Sequence, residues 1–176
     1  TGEGDNELAI DFTFYEKPYI TGVTIEGNSG IKTKDIDGAL LSKEGTFLDE
    51  QVIALSKERV LALYREKGYA DATIESESIV DEDALLALLS FTIEEGREKR
   101  IGEISVEGND HVSREVLAKQ LTSKPVGYFN SGYYNPVTIE SDKEKIVAYY
   151  QSKGYVDAVV TEVRSADISG EDEKYE

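Results

Sequence analysis

Two nine-residue segments of this chain are near copies. Residues 20–28 read ITGVTIEGN and residues 101–109 read IGEISVEGN, 81 positions apart. A second pair, KGYADA at 67–72 and KGYVDA at 153–158, recurs 86 positions apart. Between these anchors GTF (45–47) matches GYF (127–129) at a spacing of 82, so the second copy carries five extra residues, four of them after GYF in the stretch NSGYYNP. Length added at one place between repeated ends is what a surface loop tolerates. A third, partial match precedes both anchors: IDFTFYEK (10–17) stands before the first as LSFTIEEG (89–96) stands before the second. The chain therefore reads as the tail of one repeat followed by two more, the last of which stops early. Self-similarity at this period predicts tandem units rather than one merged core. With 39% hydrophobic and 31% charged residues in 176, each unit can bury only a thin core.

Local patterns give each unit its elements. Val23 and Ile25 alternate with Thr24, as Ile104 and Val106 alternate with Ser105, which predicts an opening strand. Gly27-Asn28 and Gly108-Asn109 end it in a tight turn. A short helix follows, with Thr33 or Ser113 as N-cap, then a loop through Gly45. A longer helix runs from about Asp49, its cap, to Lys67, with Val60, Leu63 and Tyr64 on one face and Ile146, Tyr149 and Tyr150 in the second copy. Gly68 and Gly154 stand where a helix exits through a left-handed residue. A strand over 70–80 is polar on both faces after Ile74, which suits a sheet edge. Asp81-Glu82-Asp83 turns the chain, and a last strand over 85–95, with Leu89, Phe91 and Ile93 on one face, suits the middle of a sheet. The order is β-α-α-β-β, an α+β unit whose three-stranded mixed sheet is covered on one face by two helices.

Charge and composition exclude several functions. A net charge of −17 leaves no basic stripe for nucleic acid and disfavours docking on anionic lipid. No cysteine is present, and no run nears the ~18 apolar residues of a membrane helix. The chain starts at Thr1, has no Met and shows no signal peptide, so it reads as an excised piece. His111, the only histidine, falls in a turn with no partner for catalysis. Asp81, Glu82 and Asp83 lack the glycine and closing glutamate of a calcium loop. No phosphate-binding or dinucleotide motif occurs. The chain is expected to have no catalytic residue, metal or cofactor. Tyr128, Phe129, Tyr133 and Tyr134 cluster in the long loop, either as a sticky surface or as the floor of a small core.

This element order, with I-x-x-(V/I)-x-(V/I)-x-G-N at the start and K-G-Y at the helix exit, resembles the POTRA domain over roughly residues 8–164. The junction FYEKPYITGVTIEGN and the loop GYFNSGYYNP resemble the first-to-second junction and the third domain of BamA-family outer-membrane barrel assembly proteins. The resemblance implies residues 1–17 as the last strand of a preceding domain, 18–97 as a complete domain and 98–176 as a second one lacking its last strand, which in the family lies between the other two. It implies a non-enzymatic periplasmic scaffold at the outer membrane. Such a scaffold binds unfolded outer-membrane proteins and accessory assembly lipoproteins by strand pairing, beside neighbouring POTRA domains and a C-terminal β-barrel. The second strand of each repeat would be the docking edge: Thr73, Ile74, Glu75, Ser76, Glu77 and Ser78, then Ala158, Val159, Val160, Thr161, Glu162 and Val163. The segment 8–16, with Leu8, Ile10, Phe12 and Phe14 on one face, is expected to fill the gap in a neighbouring molecule by strand exchange. The alternatives are the POTRA arm of a two-partner secretion transporter and a structural domain of a cell-division protein.

Overall fold

A computed structural model describes residues 9–166. Its elements run β1 (Tyr19–Glu26), α1 (Thr33–Ala39), α2 (Glu50–Glu66), β2 (Thr73–Asp81), β3 (Leu86–Glu94), α3 (Arg114–Gln120) and α4 (Pro136–Ser152). The first repeat is a complete β-α-α-β-β unit. Its sheet has the order β1-β3-β2, with β1 parallel and β2 antiparallel to the central β3. The most apolar segment takes the centre because only there are both edges paired and one face fully covered. Ala87, Leu89, Phe91 and Ile93 of β3 face the helices and are buried. Leu89, Phe91 and Ile93 meet Ile20 of β1, Ile36 and Leu40 at α1, and Val60 and Tyr64 of α2 in one cluster. Each large apolar side chain so buried contributes roughly 1.5–3 kcal/mol before chain entropy is subtracted.

The helix ends follow the sequence, with one correction. Asp49 accepts the amides of Gln51 and Val52 at 2.9 and 3.3 Å, and Asn135 does the same for Val137 and Thr138 at 3.0 and 3.4 Å. The cap expected at Thr33 is instead Lys32, and Ser113 stands at its N-cap without a side-chain hydrogen bond. These seven-residue helices are held by Ile36 and Leu117, both fully buried, rather than by caps. Gly68 and Gly154 exit α2 and α4 at φ +88° and +96°. The strand expected from 70 starts at Thr73, because Tyr69–Ala72 first closes a turn through Ala72 N to Tyr69 O.

The second repeat reproduces the turns and helices of the first. Asn28 Nδ2 donates to Ile31 O at 2.9 Å, and Asn109 Nδ2 to Val112 O at 2.8 Å. The start of β1 is clasped by Ile20 N to Thr46 O, Gly45 N to Ile20 O and Leu48 N to Pro18 O. Its counterparts are Ile101 N to Gly132 O, Val126 N to Ile101 O and Tyr134 N to Lys99 O. This bonding corrects the expected alignment of the loops. Phe47 bridges Tyr19 as Tyr133 bridges Arg100, so Phe47 matches Tyr133 and not Phe129. The extra residues are 127–131, a small turn closed by Gly127 and Asn130 bonding each other.

Strands are where the copies part. Among the described residues, neither 101–107 nor 158–163 forms a ladder, so the three-stranded sheet exists once. Ile104 and Val106 keep their alternating half-burial, but a strand is defined by the main-chain partner beside it, and none of the described residues supplies one. Residues 9–17 likewise have no main-chain partner among the described residues and form no strand. Ile10, Phe12, Phe14 and Tyr15 are exposed, and Leu8 lies outside the described residues.

Candidate functional site

The sheet leaves β2 with one paired side. Every residue from Thr73 to Asp81 is matched to β3, Thr73 to Glu94 through Asp81 to Leu86. No described residue pairs with the other side. An edge of this kind presents main-chain donors and acceptors at strand spacing, and an added strand can pair with them whatever its side chains. The six residues Thr73–Ser78 named from the sequence all lie on this edge. Ile74 is buried opposite Ile93 and anchors the strand's beginning. Ser76 and Ser78 lie opposite Phe91 and Leu89 on the helix side, and Glu75 and Glu77 lie opposite Thr92 and Ser90 on the outer face.

Between this edge and α2 runs a shallow open groove of about 280 Å³. Ser76, Glu77, Ser78 and Leu89 form its sheet wall, and Glu50, Ile53, Ala54 and Lys57 its helix wall. The sequence reading missed the helix side. The buried stripe at Ser56, Val60 and Tyr64 marks the core face of α2, and Ile53 and Ala54, just before that stripe, were the available signal. Small serines on the strand and short apolar residues on the helix leave room for alternate side chains of an added strand. Lys57 and Glu50 give the groove charges of both signs.

The other predicted half of the site is not assembled. Ala158–Val163 are not a strand in this structure, and no described sheet exists for them to edge. Val159 and Val163 are exposed, and Ala158 N instead closes a turn on Tyr155 O. The long-loop aromatics divide between their two readings. Tyr128 and Phe129 are 95% and 96% exposed at the tip of the extra turn, whereas Tyr133 and Tyr134 are half-buried beside the linker.

Remaining candidates are structural. His111 is exposed and stacks on Tyr155 with ring centroids 5.5 Å apart. Asp81 Oδ1 accepts the amides of Asp83 and Ala84 at 3.1 and 3.0 Å, which closes the β2–β3 turn. Among the described residues no group of acidic or histidine side chains is arranged to hold a metal ion.

Glu95, the residue after β3, gathers a hydrogen-bond network in the first repeat. Its carboxylate accepts Ser29 N at 2.9 Å, Ser29 Oγ at 2.6 Å, Gly30 N at 2.9 Å and Tyr64 Oη at 2.8 Å. Partial burial pushes its pKa up, but the hydrogen bonds from Ser29, Gly30 and Tyr64 outweigh that and hold it at about 2. Burial first, and then the Glu95 charge, raise the Tyr64 phenol. The network ties the end of the sheet to α2 and to the β1–α1 turn, and so fixes the frame on which β2 and its groove are mounted.

Comparison with known proteins gives the same architecture. The family model described as POTRA, "Surface antigen variable number repeat", matches residues 18–96 and again 99–175. A protein of Treponema pallidum is 30% identical over 153 residues, which is 87% of this chain and 18% of that protein. The outer membrane protein assembly factor BamA of Nitratidesulfovibrio vulgaris is 29% identical over 163 residues, 90% of this chain and 21% of its own. The chain thus spans about a fifth of the length of these curated relatives. The crystal structure of Haemophilus influenzae BamA POTRA3-5 superposes with a TM-score of 0.57 at 20% identity, covering 86% of this chain and 57% of that one. At that identity the likeness speaks for the fold.

Proposed function

Since this chain belongs to the POTRA family, we propose that it is a periplasmic module of an outer-membrane protein assembly factor. In this reading it binds extended segments of unfolded barrel precursors by strand addition at β2. The observation that carries the reading is the edge itself, Thr73–Asp81 paired on one side only and flanked by the groove under Glu50, Ile53, Ala54 and Lys57. Strand addition takes its affinity from the main chain and lets the groove tolerate many side chains, which suits a factor with many clients. The module works as a scaffold and catalyses nothing. Accessory assembly lipoproteins, neighbouring POTRA domains and a C-terminal barrel are the partners that the whole protein would bring. The docking edge is assigned to the first repeat. Residues 158–163 take that role only when a strand pairs with them. Glu75 and Glu77 on the outer face guard against indiscriminate sheet growth.

The test is a titration of the chain with a peptide of alternating apolar and polar residues, taken from a barrel strand, followed by amide hydrogen exchange. Protection is expected to rise at Thr73–Ser78, with resonance shifts at Ile53 and Lys57. Protection elsewhere with none on β2, or none at any amide at millimolar peptide, overturns the assignment.

A further inference from the structure

The two copies of the K-G-Y exit share one hydrogen-bond pattern and a left-handed glycine, but have different surroundings. A Cβ placed on Gly154 would meet nothing within 4 Å. One placed on Gly68 would come within 2.7 Å of Lys99 O, 3.1 Å of the Tyr133 ring and 3.3 Å of Glu98 Cγ. Gly68 is where the first repeat receives the start of the second. Its carbonyl accepts Lys99 N at 2.8 Å, and Lys99 O in turn accepts Tyr134 N at 2.9 Å. One residue of the linker is thus held from both sides, by the exit of α2 and by the loop that precedes α4. Asp71 pairs with Lys99 Nζ at 2.6 Å, and the Arg100 guanidinium lies 5.5 Å over the Tyr133 ring.

The equivalent of Lys99 in the first copy is Pro18, whose carbonyl accepts Leu48 N at 2.7 Å as Lys99 O accepts Tyr134 N. Proline keeps this clasp because the clasp uses only the carbonyl. It has no N–H, so the second bond, to a glycine carbonyl upstream, is chemically closed to it. We infer that Lys99 N–H and Gly68 C=O form a main-chain latch that fixes the angle between the two repeats, and that Pro18 marks a start without one. The inference is independent of strand addition at β2. A latched pair presents its surfaces at one angle, whereas a proline start leaves the corresponding angle to side chains.

The sequence supplies the test. It contains no cysteine, so Glu58→Cys on α2 and Glu144→Cys on α4, both exposed, give one spin label per repeat in the full 176-residue chain. Double electron–electron resonance is expected to show one narrow distance distribution. Lys99→Pro, which copies the first repeat, should at least double its width, while Lys99→Ala, which keeps the N–H and loses the Asp71 pair, should leave it narrow. A narrow distribution in Lys99→Pro with helical dichroism intact overturns the latch, as does equal broadening in Lys99→Ala. If Lys99→Pro loses helix, Gly68→Ala against Gly154→Ala decides. Both strain the same exit, and only the first presses on the linker, so equal widths overturn the proposal.

Discussion

The loop between the two helices of each repeat is held by one side chain from the second helix, and the copies use different chemistry for it. In the first, Ser56 Oγ accepts the amides of Leu41 and Ser42 at 3.0 Å each and donates to Val52 O at 2.8 Å. In the second, Asp142 takes that place. Its two carboxylate oxygens accept Thr122 N and Ser123 N at 2.8 Å each, and Lys145 Nζ approaches at 3.0 Å. Both residues are buried. A hydroxyl suffices where ten buried apolar residues and a sheet already fix the helices. The second repeat has only Ile101, Leu117 and Leu121 buried among its described apolar residues. There the same loop is held by a charge, whose hydrogen bonds are about twice as strong as neutral ones. The fold thus keeps the position and varies the strength of the bond.

The largest expected effect tests that difference directly. Asp142→Ala strands two amides beside α4 and should destabilise the second repeat by ~3 kcal/mol, whereas Ser56→Ala should cost the first about 1–2 kcal/mol. Urea unfolding followed separately through a reporter in each repeat measures both, and equal losses would break the comparison. Acid is the next probe. Burial raises the Asp142 carboxyl, but the Thr122, Ser123 and Lys145 bonds hold it at about 2 against an ordinary 3.8, and Glu95 stands at about 2 against 4.5. Groups held low stabilise the fold above their ordinary values and lose that contribution as pH falls through the folded ones. Both repeats should therefore weaken between about pH 4.5 and 2. Asp142→Asn should flatten the acid limb of the second and Glu95→Gln that of the first. The smallest effect is at the helix caps. Asn135→Ala should cost about 1 kcal/mol, and Asp49→Ala should destabilise in the same direction. Lys17 pairs with Asp49 and lowers its pKa, but solvent screens this surface pair, which should add little to the loss. Thermal melts at pH 7 would rank the two.

Much of this molecule is legible in its residues. The opening I-x-x-V-x-I, the G-N turn, the Asp49 cap, the Gly68 and Gly154 exits and the central place of Leu89–Ile93 are all visible as pattern and all present, apart from the unpaired opening strand of the second copy. The likeness of GTF to GYF misled, because two matching letters in three mark chemistry and not bonding. Only the clasp at Ile20 and Ile101 shows that Tyr128 and Phe129 sit on an added turn. Asp142 could have been noticed as an acidic residue at the place of Ser56. Its role depends on amides twenty residues away that no local pattern connects to it.

By itself the sequence determined the period, the helices and their ends, since helical hydrogen bonds close within four residues and their signals are local. Tertiary structure alone decided which alternating segments became strands, which side of β2 stayed unpaired, and that Lys99 reaches Gly68 where Pro18 has no hydrogen to give. Each of these is a bond between residues far apart along the chain, and its partner exists only once the chain has folded.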